Sequence, residues 1–147
     1  RVRVGNTDAE GRLAMADSLA EVRELAAKLP DPSRARLFTS ATLTGHARVA
    51  VGAYPIAMDN GPARGLGIAA SLFRAGHLLG EPFEVSQIRR DDFRAIEPKN
   101  ACYDVEQINP PSMRPTRGHQ YPAAFLAIAS GLDKHGLDAG TEAGGEA

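Results

Sequence analysis

The tightest constraint on the fold lies at the N-terminus, where the hydrophobic period changes once. Val2 and Val4 alternate with Arg1 and Arg3, the period of two that suits a half-buried strand. A polar loop follows, Asn6-Thr7-Asp8-Ala9-Glu10-Gly11-Arg12, with a glycine and side chains suited to capping a helix. Met15, Leu19, Val22, Ala26 and Leu29 then recur at steps of four and three, the stripe of an amphipathic helix that Pro30 closes. Strand, loop and helix in direct succession form the unit of an α/β layered domain. They put the polar loop at a strand end, where open α/β sheets hold their sites.

Further along, Ala35 to Ala41 reads as a largely buried strand with Thr42-Leu43-Thr44-Gly45 at its C-terminal end, and Val49-Ala50-Val51 as another short strand. Met58-Asp59-Asn60-Gly61-Pro62 is a turn cluster. Ile68, Leu72, Ala75 and Leu79 mark a second helix ending at Gly80, and Gly65-Leu66-Gly67 suits its N-terminus better than half a nucleotide loop. Glu81 to Gly118, interrupted by prolines, is mostly loop with short elements. Tyr121, Phe125, Ile128 and Leu132 mark a third helix, with Pro122 in its first turn. All three stripes are expected to face the core. Residues 1–139 are expected to form part of one domain and 140–147, small, polar and Gly-rich, a flexible tail.

With 147 residues the chain can hold one hydrophobic core. Its net charge of −1 sets up no field toward nucleic acid or an anionic membrane, and no apolar run approaches the roughly 18 residues of a membrane span. The one cysteine, Cys102, fits a reducing compartment and argues for a cytoplasmic location. It has no basic partner in a motif that would make it a nucleophile. The four histidines, His46, His77, His119 and His135, show no paired metal-ligand spacing. Arg89, Arg90, Arg114 and Arg117 read as solvated or at a subunit contact. The chain opens directly in a strand without an initiator Met, so it is expected to start within a domain.

Asp8 and Glu10 carry the chemistry. In extended backbone, residues two apart point to the same side, so both carboxylates face one point, and carboxylate oxygens suit hard or borderline divalent metals. Arg12 adds a permanent cation with a planar fork for a carboxylate-like anion. An Asp-x-Glu pair before a helix is more often solvated or a cap that complements the helix dipole.

The segment Asn6-Thr7-Asp8-Ala9-Glu10-Gly11-Arg12-Leu13, followed by Ala16-Asp17, resembles the NTDAEGRL…AD signature of the leucyl aminopeptidase family. Ala41-Thr42-Leu43-Thr44-Gly45 resembles its ATLTG strand end, and Ala123-Ala124-Phe125-Leu126 is similar to its AAxFL helix. The resemblance implies a three-layer α/β/α sandwich with a mixed central sheet, present here in part. It implies two divalent ions (Zn²⁺, Mn²⁺ or Mg²⁺), with Asp8 ligating one and Glu10 bridging both. Arg12 would hold a bicarbonate-like anion that serves as general base. Thr42, Leu43 and Gly45 would contact the peptide substrate. The implied activity is release of leucine-like N-terminal residues from peptides, within a homohexamer.

The family's remaining ligands, a lysine and two aspartates, and a further catalytic lysine lie upstream of this segment. The site carried here is therefore expected to be incomplete, and the isolated chain inactive. Asn100 to Gln120 departs from the family's usual run, and His46, directly after ATLTG, changes the pocket entrance. Gly136-Leu137-Asp138-Ala139-Gly140 is only superficially like the family's closing strand. The alternative reading is a non-catalytic relative that keeps the scaffold for assembly or regulation.

Overall fold

Four strands and six α-helices alternate along the residues that the computed structural model describes, 1–108 and 117–134. Strand β1 (Val2–Val4) pairs in parallel with β4 (Val105–Gln107), Val2 opposite Val105 and Val4 opposite Gln107. Strand β2 (Ile56–Asp59) pairs in parallel with β3 (Glu84–Gln87), Ile56 opposite Glu84 and Asp59 opposite Gln87. Parallel partners need a crossover, and helices α3 (Gly61–Gly65) and α4 (Ile68–Leu79) supply it between β2 and β3. The chain is thus α/β, as expected, with every described pairing parallel.

The core forms where helix α1 (Gly11–Ala27) packs on helix α6 (Gln120–Ala129), which in turn covers β4. Ala16 and Leu19 of α1 meet Ala124, Phe125 and Leu126 of α6, together with Ile96 and Val105. Burying a side chain the size of Phe125 or Leu19 contributes about 2 kcal/mol, so this cluster anchors the chain's two distant ends. Helix α6 is apolar almost all round and correspondingly buried from Gln120 to Ala127.

Several expectations need correction. Val2 and Val4 form the expected strand but stay 42% and 46% exposed, so it is not half-buried among the described residues. Residues 35–44 are irregular and mostly exposed, without a ladder partner among the described residues, although Leu37 and Leu43 touch the core. Val49-Ala50-Val51 lies in helix α2 (Gly45–Val51): Thr44 caps it by accepting a hydrogen bond from the His46 amide, and the cap outweighs the β-preference of the two valines. Met58 and Asp59 belong to β2, and Asn60 caps α3 through the Ala63 amide.

Helix α4 has the expected bounds, with Gly80 left-handed at its end, but its stripe is not a core face. The buried positions are Ala69 and Gly76, whereas of Ile68, Leu72, Ala75 and Leu79 the first two are half-buried and the last two exposed, Leu79 by 79%. Arg117 keeps 30% of its side chain exposed and also reaches a buried partner. It donates to the fully buried Asp92 in helix α5 (Arg90–Arg94) and to the Gln87 carbonyl. The expectations for Arg114, His135, the segment 136–139 and the tail 140–147 lie outside the described residues.

Candidate active site

The polar loop after β1 is shaped by two devices. Asn6 accepts a hydrogen bond from the Asp8 amide at 2.9 Å and so caps a single 3₁₀ turn, Thr7–Ala9. Gln107, fully buried at the end of β4, clasps the same loop with its side-chain amide. Its Oε1 accepts from the amides of Gly5 (3.1 Å) and Asn6 (2.9 Å), and its Nε2 donates to the carbonyls of Asn6 (2.9 Å) and Ala9 (3.3 Å). Both ends of one side chain are satisfied by the backbone of the loop.

This geometry changes how Asp8 and Glu10 come together. The backbone is not extended between them: Asp8 sits in the 3₁₀ turn, and Glu10, with φ −67° and ψ −32°, is the residue from which α1 starts. The two carboxylates nevertheless line one cavity of about 390 Å³, together with Arg12. The opposite wall is the segment Thr42 to His46, so Asp8, Glu10, Arg12, Thr42, Leu43 and Gly45 all border the same space. A smaller groove of about 190 Å³ between Met15, Leu19, Val22, Leu37 and Phe38 carries no charged group, so the larger cavity is the candidate site.

Arg12 joins the two walls. Its guanidinium is only 5% exposed and donates to the carbonyls of Ile108 (3.1 Å) and Leu43 (3.3 Å). Its Nε is buried with no hydrogen-bond partner among the described residues. Burial holds its pKa below the ordinary arginine value. A cation buried against neutral carbonyls favours an anion close by.

Asp8 and Glu10 are exposed and of the right chemistry for hard divalent ions. Among the described residues no group of three or more His, Cys, Asp or Glu side chains could hold a metal ion. The loop therefore offers donors of the right kind, two in number.

A second polar group abuts the cavity wall through His46. The His46 ring shares a 2.9 Å hydrogen bond with Thr44 Oγ1 and lies against Gly118. Next to it, His119 Nε2 is 2.9 Å from Ser86 Oγ, which also accepts from Gln120 Nε2 at 3.0 Å. Burial, then the Arg117 cation, pushes the His119 pKa below the ordinary value. Sequence reasoning missed Gln107, Asp92 and His119 as organisers, because each works across many residues without a local pattern.

The catalytic-domain model of the cytosol aminopeptidase family matches residues 1–138. A Caenorhabditis elegans protein whose name describes an aminopeptidase is 43% identical over 139 residues, covering 94% of this chain and 26% of that protein. A Tropheryma whipplei protein named as a cytosol aminopeptidase is 36% identical over 126 residues, covering 85% of this chain and 22% of that protein. The chain spans about a quarter of the length of the curated relatives it matches.

Proposed function

The chain belongs to the cytosol aminopeptidase family, within its catalytic domain, and from that membership we propose that it is the part of a metal-dependent aminopeptidase that carries one wall of the active site. The whole protein removes leucine-like N-terminal residues from peptides in the cytoplasm, as a homohexamer. The observation that carries this reading is the single cavity bounded by Asp8, Glu10 and Arg12 on one side and Thr42 to Gly45 on the other.

Asp8 and Glu10 are the residues that would hold two divalent ions, Zn²⁺, Mn²⁺ or Mg²⁺. When bound, such ions lower the pKa of a coordinated water and polarise the scissile carbonyl. Glu10 also starts α1, so its backbone is set by the helix. Arg12 would hold a bicarbonate-like anion, the general base, through the fork of its guanidinium. Thr42, Leu43 and Gly45 hold the peptide along the facing wall, and the Arg12–Leu43 hydrogen bond fixes that wall relative to the anion. Two carboxylates are too few to hold a pair of ions tightly, so the 147-residue chain alone is inactive.

The test is release of leucine anilide by the whole protein and by the 147-residue chain, with and without Mn²⁺. The whole protein is expected to show Mn²⁺-dependent release and the isolated chain none. In the whole protein, Asp8→Ala or Glu10→Ala is expected to lower release on the order of a hundredfold, the scale of losing one preorganised electrostatic group. Metal-independent release, or full release by both variants, would overturn the reading.

A further inference from the structure

His46 is held from two sides at the edge of the candidate cavity. From its own chain neighbourhood, Thr44 Oγ1 both accepts from the His46 amide (3.3 Å) and bonds Nδ1 of the ring (2.9 Å). From the far end of the sequence, Gly118 packs on the ring so closely that a Cβ there would lie 2.5 Å from Cδ2 and 2.7 Å from Cγ. No side chain fits at that distance without displacing the ring. Gly118 has little room to retreat, since it is buried and leads directly into α6, where Gln120, Pro122 and Ala124 are buried in turn.

The ring is thus contacted on two sides, and it borders the space shared by Asp8, Glu10 and Arg12. A rigid, bulky group on a substrate cavity sets how much side chain the cavity admits. A flexible one in the same position would yield.

We propose that His46 is a specificity-determining residue, whose imidazole, clamped by Thr44 and Gly118, limits the size of the N-terminal side chain the cavity accepts. This rests on the aminopeptidase reading above. Asp8, Glu10 and Arg12 act on groups common to every peptide, so they do not discriminate by side-chain size. His46 does so by occupying volume, and its effect falls on the ratio between substrates.

The experiment measures kcat/KM for alanine anilide and phenylalanine anilide with the whole protein and its variants. One methylene in a pocket is worth about tenfold or more in discrimination. His46→Ala is therefore expected to raise the phenylalanine-to-alanine ratio by about tenfold. His46→Asn, which keeps a polar atom for Thr44 with less bulk, shifts it in the same direction by less and guards against a folding defect in the alanine variant. Gly118→Ala is expected to change the ratio when His46 is present and to leave it unchanged in the His46→Ala background, where no ring remains to be displaced.

An active His46→Ala enzyme with a ratio within twofold of wild type overturns the proposal. So does an equal loss toward both substrates with an unchanged ratio, or a Gly118→Ala effect that persists without His46. A wild-type protein inactive on every anilide overturns the aminopeptidase reading itself, a result distinguishable from the others.

Discussion

Asp92 and Arg117 form a two-pronged ion pair: Nε of Arg117 reaches Oδ1 and Nη2 reaches Oδ2, each at 2.6 Å, with the carboxylate fully buried. The pair ties α5 to the approach of α6, and Asp92 Oδ2 also accepts from the Arg89 amide at 2.7 Å. Arg117 adopts a left-handed backbone with φ of 65°, uncommon outside glycine, which the pair and the bond to the Gln87 carbonyl hold in place. Removing Arg117 leaves a buried carboxylate without its cation. Arg117→Met is therefore expected to cost about 3 kcal/mol in urea unfolding, and the double variant Arg117→Met with Asp92→Leu to recover part of that loss. A single-variant loss under about 0.5 kcal/mol would show the pair to be dispensable.

Arg12 predicts a linkage effect. An anion that binds the folded state alone raises stability by about 2.7 kcal/mol at a hundred times its Kd. Bicarbonate is expected to raise the thermal midpoint of the wild type and leave that of Arg12→Met unmoved. An equal shift in both would place the anion elsewhere.

The protonation of His119 predicts how stability depends on pH. Burial, Arg117 and His46 lower its folded pKa, while Asp92 opposes them, and the unfolded histidine titrates near 6.5. As pH falls below 6.5 the unfolded chain therefore takes up this proton first, so the contribution of His119 is fully present above that pH and is lost on acidification. His119→Gln is expected to flatten this part of a stability-versus-pH profile measured by chemical unfolding. A profile as steep in the variant as in the wild type would assign the dependence to other groups.

Helices α1 and α6 were legible from periodicity, with Leu19 and Phe125 pointing inward, although Val22 and Leu29 of the first stripe are exposed rather than core-facing. Extended structure was less so, because a strand needs a partner that local sequence does not name. Residues 35–41 carry a strand-like composition but no ladder among the described residues, and Val49 and Val51 yield to the cap at Thr44. For the site, the residue types at 8, 10 and 12 suggested metal and anion chemistry only once the family resemblance was added to them. Their common cavity, however, arises from a 3₁₀ turn where extended backbone had been expected. Long-range organisers were invisible, since nothing near Arg117 signals Asp92 and nothing near Asn6 signals Gln107.

The Gln107 clasp ties the site to the order in which the chain is made. The loop bearing Asp8 takes its shape from a side chain 101 residues beyond Asn6, so a nascent chain that has delivered the loop but not Gln107 holds these residues without the loop's form. Closing so long a segment carries an entropic cost that grows only slowly with length. That cost is met once, by the whole β1–β4 pairing, before any ligand arrives. Any ligand that bound at Asp8 and Glu10 would meet a finished loop, and its binding would favour the completed fold over shorter intermediates.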